Sequence, residues 1–438
     1  MVQREQISIW SILKQSIGKE LSKITMPVVF NEPLSFLQRL SENLEYAFLI
    51  PAAVQQTDPV KRLELVVAFA VSALACNWDR VAKPFNPLLH ETYELNRLEE
   101  LGFRCVCEQV SHHPPVSAFY AEKPGMFRFH GSVYPKLRFW GRSIEVQPKG
   151  VITLELLQHK ETYTWTHVSC SVHNLVMGKP YIEQCGTMEV VNHSNGLRCL
   201  LNFKPGSFWF SKDASNHIEG HITDKNKKKL RCLYGEWTEF LASCPVEMYE
   251  QHAALWGREH KEMKAREEQQ QGTSRRGELG KAASFDCEGT SAVNNCHVKE
   301  CQVPKRSIQM PILQGSEILW RVKPRPPESE DFYHFTSFSL MLNELLEEER
   351  ASLPPTDSRF RPDMRLMEEG DLDGAAAQKH RLEEKQRGTR NQRKKSKLED
   401  EGKPYWFELD DHPFVKEKCW RFTGEYWNKD WSSVPDIF

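Results

Sequence analysis

Apolar positions early in the chain keep a helical period. Trp10, Leu13, Ile17, Leu21 and Ile24 follow one another at spacings of three and four, as on one face of a helix. Lys14, Lys19 and Lys23 lie among them, and Met26-Pro27 ends the pattern. Such a helix is marginal alone in water and needs a surface to cover. A second helix is predicted from Asn31 and Pro33, with Leu37, Leu40 and Leu44 on one face. A third is predicted from Asp58-Pro59 through Leu63, Val67, Val71 and Leu74. Leu63 to Cys76 is the most apolar stretch. It has fourteen residues and contains Glu64 and Ser72, so it is too short for a bilayer and predicts a buried helix.

From about Tyr93 the texture changes. Phe103-Arg104-Cys105-Val106-Cys107, Phe127-Arg128-Phe129-His130-Gly131, Val151-Ile152-Thr153-Leu154-Glu155-Leu156 and Tyr163-Thr164-Trp165-Thr166 are β-rich. Pro124-Gly125, Pro148-Lys149-Gly150 and Ser194-Asn195-Gly196 punctuate them. Many short strands with regular turns predict a sandwich or barrel. Charged, Gln, Gly and Ser residues then dominate from about 258 to 306, which predicts a disordered insertion. Order resumes at Ile318-Leu319-Trp320-Arg321-Val322, and Glu330 to Phe335 reads as the start of a strand. A charged helix is expected from about Ala375 to Lys397. The tail carries Trp406, Trp420, Tyr426, Trp427 and Trp431, too many aromatics to stay free, so it is expected to pack back on the strands.

The chain has 438 residues, 39% hydrophobic and 27% charged, with a net charge of −2. This is a soluble globular balance with no overall pull towards nucleic acid or membrane, so electrostatic docking must come from local patches. Polar Gln3, Arg4, Glu5 and Gln6 precede the first periodic segment, which does not read as a signal peptide. The 12 cysteines lack regular spacing and are expected to be reduced thiols in the cytosol. Cys287, Cys296, His297 and Cys301 fall in the low-complexity stretch without paired spacing, so no metal site and no cofactor are expected.

Glu108 to Pro115 reads Glu-Gln-Val-Ser-His-His-Pro-Pro. Each proline fixes its own φ and biases the residue before it towards extended backbone. The histidines therefore sit at the edge of a stiff rim, and a protonated imidazole donates from both ring nitrogens. Such a rim suits a phosphate better than an apolar ligand. On a plain strand His112 and His113 would point to opposite faces; on a loop rim both reach one phosphate. Lys379, Glu383 and Arg387 recur every four residues and share a helix face, where Glu383 can pair its neighbours. Arg390, Arg393, Lys394 and Lys395 read as solvated charge. Lys83 precedes Pro84-Phe85-Asn86-Pro87, a turn stiffened by two prolines. The chain lacks GxSxG, HExxH and GxxxxGK[ST], and it is not expected to be an enzyme.

The motif at Glu108–Pro115 resembles the fingerprint of the oxysterol-binding protein family. Supporting stretches are Leu21-Ser22-Lys23-Ile24-Thr25-Met26-Pro27, Asn31-Glu32-Pro33-Leu34, Lys83 to Leu89, Phe139-Trp140-Gly141 and Arg381 to Arg387. The likeness runs from about residue 7 to the end and is nearest the subgroup of the related proteins 1 and 2. It implies an α+β fold: an incomplete antiparallel β-barrel around a lipid tunnel, with an N-terminal amphipathic lid and flanking helices. The implied organisation is a lid over 1–30, N-terminal helices and barrel over 31–257, a disordered insertion over 258–311, and the C-terminal part over 312–438. Trp10, Leu13, Ile17, Leu21 and Ile24 become the lid's covering face. Lys83, His112, His113, Lys379, Glu383 and Arg387 match family positions around a phosphoinositide headgroup. The implied partners are a sterol, a phosphoinositide and a transient membrane surface, with no nucleic acid, and the implied activity is exchange of the two lipids between membranes by a cytosolic carrier. The alternative is a sensor that binds both without net transport. Met26-Pro27-Val28-Val29-Phe30 differs from the phosphatidylserine carriers at this place. His90 stands where the family has glycine, so either the turn is adjusted or His90 adds a polar group to the rim.

Overall fold

The computed structural model describes residues 26–141, 143–175, 179–204, 216–252, 310, 312–395 and 402–438. The expected lid face (Trp10, Leu13, Ile17, Leu21, Ile24), nearly all of the expected insertion and its Cys287, Cys296, His297 and Cys301 lie outside the described residues.

Asn31–Ser35 forms a strand (β1) rather than the opening of the second helix. It pairs in parallel with β2 (Lys83–Phe85), and Asn31 Nδ2 donates to the carbonyls of Lys83 and Pro84, both at 3.2 Å. Long-range pairing thus overrides the local Asn-x-Pro signal. The helix α1 (Phe36–Ser41) begins five residues after Asn31, behind a capping box. Ser35 Oγ accepts from the Leu37 N–H, and Gln38 Oε1 accepts from the Ser35 N–H at 2.8 Å, which satisfies donors a helix start leaves open. After α2 (Leu49–Val54), the expected third helix is α3 (Pro59–Ser72), capped by Asp58 with Pro59 in its first turn. It buries Leu63, Val66, Val67, Phe69 and Val71 completely.

Among the described residues, fourteen strands form one antiparallel sheet. It starts with β3 (Thr92–Arg97), β4 (Phe103–His112), β5 (Pro115–Lys123), β6 (Phe127–Phe139) and β7 (Ile144–Lys149) and runs on to Glu317–Arg321. The inward and outward alternation is plain in Arg198–Phe203, where Cys199, Leu201 and Phe203 are buried between exposed neighbours. The two edge strands do not pair, so the curved sheet is an incomplete barrel. Helical segments cover the gap: Tyr93 Oη and Gln38 Nε2 both donate to the Leu342 carbonyl, at 2.8 and 2.9 Å.

Beyond two short helices at Ser337–Met341 and Glu347–Arg350 lie α4 (Pro362–Glu368) and the charged α5 (Leu372–Lys395). Glu330–Phe335 is not a strand. Ser329–Phe332 is a turn of 3-10 helix, flanked by Glu328, Tyr333 and His334 at φ of 63°, 57° and 58°, a backbone that cannot join a ladder. The aromatic tail does pack back. Trp406, Phe407 and Tyr426 are buried against Val106, Val110 and Ala118 of β4 and β5, with Trp420, Trp427 and Trp431 partly buried around them. Among the described residues no helix is long and apolar enough to cross a membrane.

Candidate functional site: a cavity with a charged rim

A cavity of about 1250 Å³ opens between the barrel wall, α1 and α5. Its wall is mostly apolar, drawn from Leu40, Leu74, Val133, Val146, Val168 and Ile182 among others. Its rim brings together Lys83, His112, His113, Lys379, Glu383 and Arg387. These six expected residues come from positions just over 300 apart in sequence, yet all line one opening.

The histidines are placed by β4. A register shift between Gln109 and Ser111 breaks its pairing with β5, and such a bulge re-aims the side chains that follow. Gln109 Nε2 donates to the Ser111 carbonyl at 2.8 Å, Ser117 Oγ donates to Gln109 Oε1, and Ser111 Oγ donates to the Pro114 carbonyl at 2.7 Å. The His112 and His113 rings stand edge to face with centroids 4.7 Å apart. Both face the cavity, which a plain strand would forbid.

Glu108 explains why the motif begins with a carboxylate. It is fully buried, and its two oxygens accept from the backbone N–H groups of Tyr405 and Trp406, each at 2.9 Å. The motif therefore anchors the tail from the back of β4 while its far end faces the cavity.

The Lys83 turn is fixed by buried polar groups. Glu91 accepts from the Leu88 N–H at 2.9 Å, Ser35 Oγ at 2.6 Å, Ser358 Oγ at 2.7 Å and Arg361 Nη1 at 2.8 Å. Arg361 also donates to the Asn86 carbonyl at 3.0 Å, and Gln386 Oε1 on α5 accepts from the Leu89 N–H at 3.0 Å. Lys83 is exposed towards the cavity, among the residues that line it. Desolvation by the surrounding protein and the Lys379 ammonium push its pKa down to about 8, opposed by Glu383.

On α5, Lys379 donates to Glu383 Oε1 at 2.8 Å and to the Met26 carbonyl at 3.0 Å. Arg387 pairs with Glu384 at 2.9 Å rather than with Glu383, and remains more than half exposed. Arg390, expected to be solvated charge, instead lines the cavity with Lys379, Leu382, Glu383, Gln386 and Arg387. Counting four residues from Lys379 singles out Glu383 and Arg387, whereas the helical face also takes positions three apart, which brings in Arg390.

His90 keeps the left-handed backbone that suits glycine, with φ 69°. It is not a rim residue: it is 4% exposed, and its ring packs edge to face on Tyr405 at 5.1 Å. Two further polar groups face the cavity that the sequence did not reveal. Burial pushes the His167 imidazole down to about 4, so it is neutral. Its buried Nδ1 and the Gln184 Oε1 have no hydrogen-bond partner among the described residues. Among those residues no cluster of three metal-binding side chains occurs.

An incomplete antiparallel barrel whose apolar cavity carries a basic rim defines a protein with room for a lipid-sized ligand. The Oxysterol-binding protein family model matches residues 8–431, and the chain belongs to that family. It is 48% identical over 439 residues to oxysterol-binding protein-related protein 1 of Homo sapiens, covering all of this chain and 43% of that protein. It is 47% identical over 441 residues to oxysterol-binding protein-related protein 2 of Mus musculus, covering all of this chain and 86% of that protein. The chain thus spans less than half the length of related protein 1. Among solved structures, the Osh1 ORD domain in complex with cholesterol matches with a TM-score of 0.77 at 32% identity, covering 100% of this chain and 92% of that one. The Osh3 ORD in complex with PI(4)P from Saccharomyces cerevisiae matches with a TM-score of 0.72 at 32% identity, covering 98% and 95%.

Proposed function

We propose that this chain is a lipid-transfer domain that takes either a sterol or a phosphoinositide into one cavity and exchanges them between membranes. The observation that carries this reading is the joining of an apolar cavity of about 1250 Å³ to a rim of Lys83, His112, His113, Lys379, Arg387 and Arg390. Apolar walls take up a sterol or acyl chains by removing their surface from water, and charge-assisted donors suit a phosphate. His167 and Gln184 Oε1 offer a sterol hydroxyl polar partners inside the cavity. The solved relatives with cholesterol and with PI(4)P support both halves. Binding without catalysis accounts for every group at the rim. Residues 1–30 would form the lid over the loaded cavity, and residues 258–311 would form an insertion outside the lipid-binding fold. A transient peripheral contact of a cytosolic carrier with each membrane completes the cycle.

Competition tests the reading. The chain is loaded with a fluorescent sterol and titrated with a phosphoinositide carried in vesicles. Stoichiometric displacement is expected; simultaneous retention of both lipids would overturn the single-cavity reading.

A further inference from the structure

The hairpin joining β6 to β7 ends in a large exposed aromatic. Trp140 is 62% exposed, the highest value among the large apolar side chains described. The hairpin is well formed around it: the Trp140 N–H donates to the Ser143 carbonyl at 2.9 Å, and Gly141 takes φ 84°. Register places this tip at the cavity mouth. Phe139 pairs with Ile144 and Leu137 with Val146, and Leu137, Ile144 and Val146 line the cavity. Beneath the tip Phe139 is buried against Met26, Leu137, Ile144 and Leu175.

The surroundings select the occupant. Lys136 and Arg138 are exposed on the same strand, and Lys179 is exposed in the neighbouring hairpin beside Leu175. The nearby carboxylates are engaged: Glu145 accepts from the Trp140 indole at 3.1 Å and from Gln147 at 2.7 Å, and Glu183 pairs with His173 at 3.1 Å. A lone indole with a polar edge among exposed cations has the chemistry of a membrane-interface anchor on an anionic surface. We infer that the tip of this hairpin at Trp140 is the part that enters the lipid surface, with Trp140 at the headgroup level and Lys136, Arg138 and Lys179 against anionic lipid. This inference rests on the lipid-transfer reading, because it aims the mouth of the cavity at the bilayer.

Flotation with vesicles of phosphatidylcholine, with and without phosphatidylserine, tests it on the full chain. Trp140→Ala should weaken partitioning to anionic vesicles about tenfold, for an indole that loses roughly half its apolar surface to the interface. Trp140→Phe should recover most of the loss. Lys136→Ala with Arg138→Ala should weaken partitioning about fivefold or more on anionic vesicles and leave neutral ones unaffected. Each variant is also titrated with a soluble short-chain phosphoinositide, which should bind as in the parent. Parent-like partitioning by Trp140→Ala would overturn the inference, and so would a loss of soluble binding equal to the loss of flotation. Failure of the parent itself to bind either lipid would instead remove the lipid-transfer reading, and flotation would still report on the hairpin.

Discussion

Alkaline pH should switch off part of the headgroup site while leaving the fold intact. The lever is Lys83, whose pKa is brought down to about 8 by desolvation and by Lys379. At about pH 7 roughly nine-tenths of Lys83 is protonated, and at about pH 9 roughly one-tenth. If the ammonium is required for a phosphate contact, affinity for a soluble phosphoinositide falls about tenfold over that range. The phosphate is already about nine-tenths doubly ionised at about pH 7, since its second pKa lies near 6, so its own charge changes little over that range. Stability moves the other way. The unfolded lysine titrates near 10.4, so between about pH 8 and that value the unfolded chain binds more protons and the fold gains stability as pH rises. A loss of binding at high pH is therefore not unfolding driven by this group. The assay is calorimetric titration with a short-chain phosphoinositide across the range, on the parent and on Lys83→Met. The variant should bind more weakly at about pH 7 and show a flat profile above it. A tenfold fall that persists in Lys83→Met would refute the assignment of the titration to this residue.

Replacing His112 and His113 with Ala should abolish phosphoinositide uptake and spare sterol uptake, read by loading each lipid separately; equal loss of both would show the histidines to be structural. Reversing Arg387 to Glu, or Arg390 to Glu, should reduce soluble phosphoinositide binding more than neutralising Arg393, Lys394 and Lys395 together. A hydrogen-bonded charge contact contributes roughly 1.5–3 kcal/mol, whereas a surface cation near anionic lipid contributes about 1 kcal/mol and is screened by salt. Glu108→Ala removes both acceptors of the Tyr405 and Trp406 N–H groups and should cost about 3 kcal/mol, seen as a lower urea midpoint and as early proteolytic release of the tail.

The sequence displayed the parts of the fold whose signals are local. Asp58-Pro59 starts α3 where cap and proline predict, and the polar period of α5 is visible in its charges. The helix after residue 30 begins later than Asn31 and Pro33 suggest, because Ser35 and Gln38 form a capping box whose signal in the chain is quieter than theirs. The strand that replaced it depends on β2 nearly fifty residues away, a partner no local pattern names. At the site, the histidine motif and the lysine turn could be read in advance, largely through the family likeness. The work of Glu108, Glu91, Gln386 and Arg361 could not, because each acts on backbone groups that only the assembled fold brings near. Arg390 was hidden by company: within a run of cations, the one that turns towards the cavity differs from its neighbours by helical phase alone.

The rim is a seam between distant parts of the chain, and this dictates when it can exist. The barrel wall closes its pairing with Glu317–Arg321, whereas Lys379, Arg387 and Arg390 lie on α5, well beyond. A polypeptide emerging from the ribosome folds its earlier portion first, so it holds the greasy interior, with Lys83, His112 and His113 at its entrance, before the cations of α5 have been synthesised. On the proposed reading, full grip on a charged headgroup is then acquired late in synthesis, and a chain that stops before α5 would retain an oily hollow whose door keeps Lys83, His112 and His113 but lacks Lys379, Arg387 and Arg390.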